Sequence, residues 1–381
     1  MRIAWVSSWP PRHCGIATYS NDLVAALRSL GHEVEVVCHT DGGKEGEEDV
    51  YPVIDISHPS WDEILCETVK KIDPDILHIQ HEYALYSYEN DYGSGLLRPL
   101  FLWRIERKFP VVITYHSVFR VLNKVERYFM DVSLTLANAG IVHEEYQRIY
   151  LPMNIGRMPE NVYVIPHGAK EIRPYPNAKE EFNLAGKRIV GMIGWWEPNK
   201  GFERVVKLWS EIVKELGPNH VLEVAGDARP GSSSGRIYKP KLLEAIESSP
   251  AKDSIKVIMG QFDPDTYNKV VSTFDLIILP YTHGSQSGNL AHAFALGVPA
   301  VATSIEGLKA EVEESGAGRT TGLSDDSELK HCIVSLMFDE ELRKHYAERA
   351  KNYVTNEVRW SIIARKHLRL YDRSLEDMKG E

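Results

Sequence analysis

The sequence predicts an α/β fold of two Rossmann-like domains that face each other across a cleft. The chain has 381 residues, which is too long for one typical hydrophobic core. Short apolar segments alternate with amphipathic helical segments, an order typical of parallel sheets. This alternation begins at residue 2 and begins again at residue 188, after a proline-rich connection at 173–176. Two domains of similar size are therefore expected.

The first domain is predicted to contain a parallel sheet with helices between its strands. The turn after the first strand contains Gly15 but lacks the GxGxxG pattern, so the dinucleotide-binding fingerprint is absent. Helices are expected from Trp61 to Ile72 and from Asn123 onward. Strands are expected at 2–7, 33–37, 75–80, 111–115, 140–143 and 162–165.

Polar residues follow two of these strands where the strands end. His81 and Glu82 follow the strand at 75–80, and His116 follows the strand at 111–115. Open α/β sheets bind their ligands beyond the carboxyl ends of the strands, so these three residues are candidate functional residues. A histidine inside a strand is more often a packed core residue, which we expect for His78.

The second domain repeats the strand–helix order. Lys200 stands just before a helix, where a flexible cation can neutralise a phosphate. A Pro/Gly/Ser-rich loop is expected at 229–235 and a strand-end loop at 303–307. Strands are expected at 188–193, 220–225, 254–259 and 276–279, with helices at 202–209 and 264–273 and a terminal helix from Trp360.

The stretch from 276 to 299 is the most informative part of the second domain. A buried strand is followed by a small polar loop and then by a helix that begins near Gly288. The free N–H groups of a first helical turn and the helix dipole suit an anion such as a diphosphate. Ser285 and Ser287 add hydroxyl groups, and Gln286 adds an amide. The alternative is an ordinary strand-to-helix turn in which glycine serves tight packing.

Composition restricts the class of protein. A net charge of −10 argues against nucleic acid as the main partner. The N-terminus lacks the features of a signal peptide and no apolar run is long enough to span a bilayer, so a cytoplasmic location is expected. The four cysteines form no CxxC pair, so free thiols are expected and no metal site. Lys124 and Arg127 belong to a helix face that is either simply solvated or a basic contact surface for a membrane or an anionic acceptor.

Six segments, in this order along the chain, resemble the retaining glycosyltransferases of the GT-B fold, family 4. They are the first turn at 14–19, His116, the link at 164–168, the turn from Gly194 to Gly201, the segment 290–299 and the helix that opens at Trp360. The resemblance covers nearly the whole chain. It implies an acceptor domain at 1–168, a nucleotide-sugar domain at 169–355 and a C-terminal helix at 356–381 that crosses back to the first domain.

The resemblance also implies roles for individual residues. Gly15 would let its backbone approach the donor phosphate, His116 would contact the donor sugar, and Lys200 would neutralise the leaving diphosphate in place of a metal. His81 and Glu82 are further candidate catalytic residues. The remaining donor-binding positions are Trp195, Ser285, Gln286, Ser287, Gly288 and Asn289, and the nucleotide-binding positions are Gly226, Gln261 and His292.

The chain departs from the family pattern at three positions. The family usually has two glutamates eight positions apart around the last loop, and these positions hold Gly284 and His292. The arginine that usually precedes the phosphate-binding lysine is Trp195. The Ser-Gln-Ser-Gly loop resembles a recurring variant within the family. The loop therefore indicates a phosphate site more clearly than it indicates which sugar is bound.

The expected activity is hexose transfer from a nucleotide-diphosphate sugar of the GDP-mannose or UDP-glucose type. The acceptor would be a hydroxyl of a sugar, a glycan or a lipid-linked molecule, and the resemblance implies retention of configuration without a metal or another cofactor. Two alternatives stay open. One is a nucleotide-sugar epimerase or a sugar phosphorylase on the same fold, and the other is a non-catalytic sugar-nucleotide binding protein, which the absent glutamates suggest. The oligomeric state does not follow from the sequence.

Overall fold

Two parallel β-sheets form the framework of the protein. The computed structural model describes residues 1–12, 14–87, 94–284 and 287–380. The chain divides into two compact units, Met1–Gly168 with Trp360–Glu381 and Ala169–Arg359. Each unit contains one sheet whose paired strands all run parallel, with a helix between consecutive strands except between the second and third strands of the first unit. The predicted α/β class with two parallel sheets is confirmed.

The sheet of the first unit has seven strands in the order β3-β2-β1-β4-β5-β6-β7. Strand β3 was not predicted from the sequence, because Pro52 interrupts its apolar pattern. Proline cannot donate a hydrogen bond to a sheet, and β3 lies at the edge, where this is tolerated. The strands are β1 (Arg2–Ser7), β2 (Glu33–His39), β3 (Val50–Ile54), β4 (Ile76–His81), β5 (Val111–Tyr115), β6 (Ala139–Val142) and β7 (Val162–Val164).

The helices of this unit begin where the sequence provides caps. Before α4, the side chain of Asn123 accepts hydrogen bonds from the N–H groups of Val125 and Glu126, and the Glu126 carboxylate accepts one from the N–H of Asn123. This capping box explains why the helix starts where the sequence predicted. The helices are α1 (Gly15–Ser29), α2 (Trp61–Ile72), α3 (Leu97–Glu106), α4 (Lys124–Leu136) and α5 (Glu145–Ile155).

The second unit contains a six-stranded sheet in the order β10-β9-β8-β11-β12-β13. Its strands are β8 (Arg188–Trp195), β9 (His220–Asp227), β10 (Ile255–Met259), β11 (Leu276–Leu279), β12 (Ala300–Thr303) and β13 (Gly318–Thr321). Its helices are α6 (Ala178–Glu181), α7 (Phe202–Leu216), α8 (Ser233–Glu247), α9 (Pro264–Ser272), α10 (Gly288–Ala295), α11 (Glu306–Ser315), α12 (Asp326–Phe338) and α13 (Glu340–Tyr353).

Two predicted loops of this unit are shorter than expected. The loop predicted at 229–235 ends at Ser232, because the hydroxyl of Ser232 accepts a hydrogen bond from the N–H of Gly235 at 3.0 Å and caps α8. The loop predicted at 303–307 ends before Glu306, where α11 begins. Both loops therefore lead directly into helices.

The terminal helix α14 (Trp360–Gly380) packs on α1 in the first unit. Its Tyr371 hydroxyl forms a hydrogen bond with His78 Nδ1, and His78 Nε2 lies 2.8 Å from the Thr114 hydroxyl oxygen. The ring of Trp5 stacks on His78 with centroids 4.4 Å apart. His78 is therefore a fully bonded core residue, as predicted, and it connects α14 to three central strands.

Both sheets reverse their strand order at one point. In the first sheet β1 lies between β2 and β4, and in the second β8 lies between β9 and β11. Chain segments leaving adjacent strands at such a switch point turn to opposite faces, which leaves a crevice at the carboxyl edge. Helix α1 begins at Gly15 just after β1, and α10 begins at Gly288 after β11. Both predicted phosphate-approach positions therefore lie at a switch point.

A buried carboxyl group lies within the second sheet. The side chain of Glu223 in β9 is fully buried and receives a hydrogen bond from the Thr273 hydroxyl at 3.3 Å. Burial raises the pKa of Glu223 to about 7, and Lys256, Thr273 and Lys179 oppose this shift. A carboxyl whose pKa is raised on folding contributes stability below its unfolded pKa and loses it as the pH rises through the folded value.

We expect Glu223→Gln to increase stability relative to the native protein as the pH rises from about 5 to about 8, by on the order of 2 kcal/mol. The neutral amide keeps the shape of the carboxyl and avoids a buried charge at high pH. Urea unfolding at both pH values measures this difference. Glu244→Gln on the exposed face of α8 is the control. The same stability difference for Glu223→Gln at both pH values would contradict the assignment.

Candidate functional site

A cavity of about 250 Å³ opens in the second unit at the carboxyl edge of its sheet. It lies over the switch point, between the ends of β8 and β9, the turn after β10 and the start of α10. The predicted residues that line it are Trp195, Lys200, Gly226, Gln261, Ser287, Gly288 and Asn289. Five others were not predicted as site residues from the sequence, which are Gly194, Asp227, Gly260, Phe262 and Tyr267.

Two glycines allow the strand ends to meet beneath this cavity. A Cβ atom on Gly226 would lie 1.9 Å from the carbonyl oxygen of Gly194, so no larger residue fits. A Cβ atom on Gly194 would lie 2.4 Å from the side-chain nitrogen of Asn289. Both glycines have positive φ angles, +134° and +132°, which residues with a side chain rarely adopt. The floor of the cavity is therefore backbone.

Asn289 connects three walls of the cavity through its side-chain amide. Its Nδ2 donates to the carbonyl oxygen of Ile193 at 2.7 Å and to the hydroxyl oxygen of Tyr281 at 3.0 Å. Its Oδ1 accepts from the hydroxyl of Tyr267 at 2.8 Å. Because the amide is occupied within the protein, a ligand can use only the backbone N–H of Asn289. The predicted contact of this residue with a phosphate is thus limited to its main chain.

The N-terminus of α10 faces the cavity with free donors. The N–H groups of Gly288 and Asn289 have no hydrogen-bond acceptor among the described residues, whereas the N–H of Leu290 bonds the carbonyl of Ser287 at 3.0 Å. Free N–H groups and the helix dipole attract an anion. Ser285 and Gln286, which were predicted to add side-chain donors, lie outside the described residues.

Lys200 reaches the same cavity from the turn that precedes α7. Its Nζ lies 3.7 Å from the centre of the Tyr281 ring, a cation–π contact. Within the part of the chain that the structure describes, no carboxylate lies within 4 Å of this ammonium group. Since Asn289 fixes Tyr281, the ring holds Lys200 in place while its charge stays available to an anion.

The remaining predicted residues of this unit differ in their access to the cavity. Trp195 supplies an indole wall where the resemblance implies an arginine. The Asp227 carboxylate pairs with Lys239 at 2.6 Å, so it does not stand in the cavity as an unpaired charge. His292 is not among the lining residues. Its ring packs edge-on against Tyr267 with centroids 4.9 Å apart, and burial lowers its pKa to about 4. Tyr267 separates His292 from the cavity.

In the first unit, His116 lies at the carboxyl edge of the sheet as predicted. Its Nε2 lies 2.7 Å from the side-chain oxygen of Gln80. This oxygen accepts a hydrogen bond from the Nε2–H group and thereby sets the tautomer. Burial, reinforced by the neighbouring His143 and His167, holds the pKa of His116 well below its usual value. His116 is therefore a neutral hydrogen-bonding group near neutral pH.

Glu82 and Gly15 lie at the same edge. The hydroxyl of Ser117 donates a hydrogen bond to the Glu82 carboxylate, while burial raises the pKa of this carboxyl. Gly15 is the first residue of α1, and a Cβ atom there would meet none of the described residues within 4 Å beyond its chain neighbours and its own helix backbone. Packing against the described residues therefore does not require a glycine at this position.

His81, a predicted catalytic candidate, is buried in the hydrophobic core. Its side chain is 1% exposed, and its ring stacks on Phe129 with centroids 4.2 Å apart. Burial lowers its pKa to about 3. Successive residues of a strand point to opposite faces, so His81 points away from the face that carries Gln80. In this position His81 cannot contact a substrate, and we no longer expect a catalytic role for it.

The sequence analysis missed a cluster of aromatic residues beside His116. The ring of Tyr19 contacts His116 at 4.9 Å and His143 at 5.4 Å between centroids, both edge-on. It also contacts His167 and Trp360, at 4.9 and 5.1 Å. The histidines follow β6 and β7 at the edge that carries His116. Their positions after strands were the signal that could have identified them.

The described ranges offer neither a metal site nor a membrane-spanning helix. No group of three or more His, Cys, Asp and Glu side chains in these ranges could hold a metal ion. No helix in them combines the length and apolar character needed to cross a bilayer.

The fold and the cavity define the class of protein. The chain superposes on HepE from Anabaena, solved in complex with UDP, with a TM-score of 0.77 and 17% sequence identity. The match covers 98% of this chain and 100% of that one. It shows that the chain has the GT-B fold, as the resemblance implied.

The family follows from two family models. Residues 14–171 match Glycosyltransferase Family 4, and residues 175–353 match Glycosyl transferases group 1. The chain belongs to glycosyltransferase family 4, whose members transfer a sugar from a nucleotide sugar.

Two relatives illustrate the similarity in sequence. The chain is 21% identical to N-acetyl-alpha-D-glucosaminyl L-malate synthase of Bacillus anthracis, over 96% of each protein. It is 26% identical to an uncharacterized glycosyltransferase of Methanocaldococcus jannaschii over 51% of this chain, and that match spans only 47% of the relative.

We expect Asn289→Ala to lower the free energy of unfolding by about 2–4 kcal/mol, because it leaves the Ile193 carbonyl and two tyrosine hydroxyls without their partner. Urea unfolding measures the loss. Asn219→Ala is the control, since Asn219 has an exposed side chain in the same unit. Equal unfolding midpoints for both variants would show that the amide does not hold the cavity together.

Proposed function

We propose that the protein transfers a hexose from a nucleotide-diphosphate hexose to a hydroxyl acceptor with retention of configuration, and that it needs no metal at the diphosphate. One observation carries the proposal. The Lys200 ammonium and the free N–H groups at the start of α10 line the same cavity in the second unit. An ammonium group and a helix N-terminus together suit a doubly charged diphosphate.

In the proposed reaction the bond between the anomeric carbon and the diphosphate oxygen breaks, and a bond from the acceptor oxygen forms on the same face of the sugar. The acceptor proton passes to the departing phosphate oxygen. Negative charge grows on the diphosphate as the bond breaks. Lys200 and the N–H groups of Gly288 and Asn289 stabilise that charge most strongly in the transition state. This explains how the chain would promote departure without a metal.

We propose that the carboxyl edge of the first unit binds the acceptor. His116 is neutral near neutral pH and is oriented by Gln80, so it can hydrogen-bond a sugar or acceptor hydroxyl. Glu82 has a raised pKa and contacts Ser117, which places a carboxyl group near the same edge. The acceptor is a hydroxyl of a sugar, a glycan or a lipid-linked molecule, and a cytoplasmic location supplies the nucleotide sugar.

The donor is of the UDP-glucose or GDP-mannose type. The structure of HepE, which shares the fold, contains UDP. A ligand that binds only the folded protein raises its melting temperature. Melting curves with UDP, GDP, ADP and their sugars therefore identify the base, and the largest shift is expected for one diphosphate among the three.

We expect Lys200→Met to lower the rate of nucleoside diphosphate release by roughly 10²–10³-fold with the preferred donor and acceptor, because the growing charge loses its cation. Lys207→Met is the matched control, since Lys207 is exposed on α7 and pairs only weakly with Glu203 at 3.6 Å. The rate of the native enzyme is expected to stay unchanged when a chelator is added.

Three results would redirect the proposal. Unchanged diphosphate release by Lys200→Met would remove Lys200 from the reaction. Calorimetric binding of the nucleotide sugar without turnover over a broad acceptor panel would support a non-catalytic binding protein. Release of sugar phosphate only when inorganic phosphate is supplied would support a phosphorylase.

A further inference from the structure

A face of the first unit exposes apolar side chains beside unpaired basic ones. Among the described residues, six large apolar side chains between 121 and 158 are exposed by 40–75%. We call them the α4–α5 face. They are Val121, Val125, Tyr128, Ile149, Met153 and Met158. Single exposed apolar residues are common on soluble proteins, so the question is whether these form one surface.

The hydrogen bonds between the two helices show that they do. Val125 and Tyr128 share one face of α4, and Ile149 and Met153 share one face of α5. The side chain of Asn154 accepts from the N–H of Leu122 and donates to the carbonyl of Arg120, both at 2.9 Å. These bonds hold Val121 against the end of α5, beside Met153.

A second set of bonds holds the chain after α5 against α4. Arg157 donates to the Asp131 carboxylate and to the Thr135 hydroxyl, which lies 2.7 Å away. Its neighbour Met158 is therefore held beside α4, where Tyr128 is exposed. Four of the six side chains lie on α4 and α5, Val121 precedes α4 and Met158 follows α5, and these bonds bring all six into one surface.

The charge of this region differs from that of the whole chain. Residues 121–158, which contain the face, have four Lys and Arg against four Asp and Glu, so this region lacks the acidic excess of the whole chain, whose net charge is −10. The acidic groups near the face have partners of their own. Asp131 pairs with Arg157, Glu145 pairs with Arg148, and Glu126 caps α4.

The basic groups beside the face lack such partners. Within the described ranges, neither Lys124 nor Arg127 has a carboxylate within 4 Å. Arg127 donates only to the carbonyl of Leu122, at 2.7 Å. Exposed apolar side chains bordered by free cations are the combination that binds the interface of an anionic bilayer, where apolar groups enter the acyl boundary and cations meet lipid phosphates.

We propose that the α4–α5 face is a docking surface for a membrane that contains anionic lipids. The apolar side chains enter the headgroup boundary, and Lys124 and Arg127 contact lipid phosphates. The opposite side of α4 packs on the sheet, since Phe129 stacks on His81. Docking therefore holds the protein by the outer side of α4 and leaves the packed side unchanged. The proposal goes beyond the transfer reaction and does not require a particular donor or acceptor.

The test is co-sedimentation of the full chain with vesicles. One set contains phosphatidylcholine and phosphatidylglycerol in equal parts, and the other contains phosphatidylcholine alone. The native protein is expected to sediment with the anionic vesicles at low ionic strength and to be released as the salt approaches about 1 M. It is expected to stay in solution with the neutral vesicles. A protein that stays in solution with both sets would overturn the proposal.

Variants separate the two contributions. Lys124→Gln is expected to weaken binding about fivefold and the double variant Val121→Ser, Met153→Ser roughly tenfold. The matched control is Ile237→Ser, Phe338→Ser, which removes two exposed apolar groups from the second unit, 62% and 63% exposed against 75% and 73% for Val121 and Met153. It is expected to bind like the native protein. Equal losses in both double variants would contradict the assigned face.

Two further measurements keep the outcome specific. A lipid-free dimer that Val121→Ser, Met153→Ser dissolves, seen by sedimentation equilibrium, would show that a second copy covers the face and would also overturn the proposal. Diphosphate release with a soluble acceptor is expected to be unchanged in these variants. Failure of vesicle binding with normal release, or the reverse, therefore distinguishes this inference from the proposed reaction.

Discussion

The arrangement of the second unit depends on the side-chain amide of Asn289. Its three hydrogen bonds connect the end of β8, the loop after β11 and helix α9 at the point where the strand order reverses. Since Gly194 leaves room for the amide, the α10 N-terminus can lie directly over the strand ends. The same amide fixes Tyr281, whose ring holds Lys200. One side chain thus places both the helix dipole and the cation that face the cavity.

Three positions of this site differ from the pattern of the family. Family members usually present glutamates at the positions of Gly284 and His292, and the resemblance implies an arginine at Trp195. Here the cavity has an indole in place of the arginine, and Tyr267 stands between the cavity and His292. The cation and the backbone donors of the proposed diphosphate site remain. The groups to which the resemblance assigns the sugar and the ribose differ.

The periodicity of the sequence predicted most of the fold, because buried parallel strands and capped helices are local patterns. Helix α2 and the start of α4 lie where the sequence predicted them, whereas β3 was not predicted because Pro52 interrupts its apolar pattern. The sequence predicted which residues lie at the carboxyl edge of the sheet. It did not predict on which face of the sheet each side chain lies. His81 lies at the carboxyl end of β4 as its last residue and points into the core, since a shift of one residue along a strand changes the face. The hydrogen-bond network of Asn289 was not predicted for a different reason. Tyr267 lies on α9 and Tyr281 in the loop after β11, and only packing brings them together.

Helix α14 has a consequence for the order in which the chain can fold during synthesis. The second unit is continuous from Ala169 to Arg359, so all of its residues leave the ribosome before α14 does. The first unit is complete only when the last residues emerge, because His78 in its central sheet takes the Tyr371 hydroxyl as a partner. Until α14 has been made, the His78 ring lacks its hydrogen bond to Tyr371, and the apolar surface that α14 covers stays exposed to water. The half of the protein that is made first is therefore the half that finishes last.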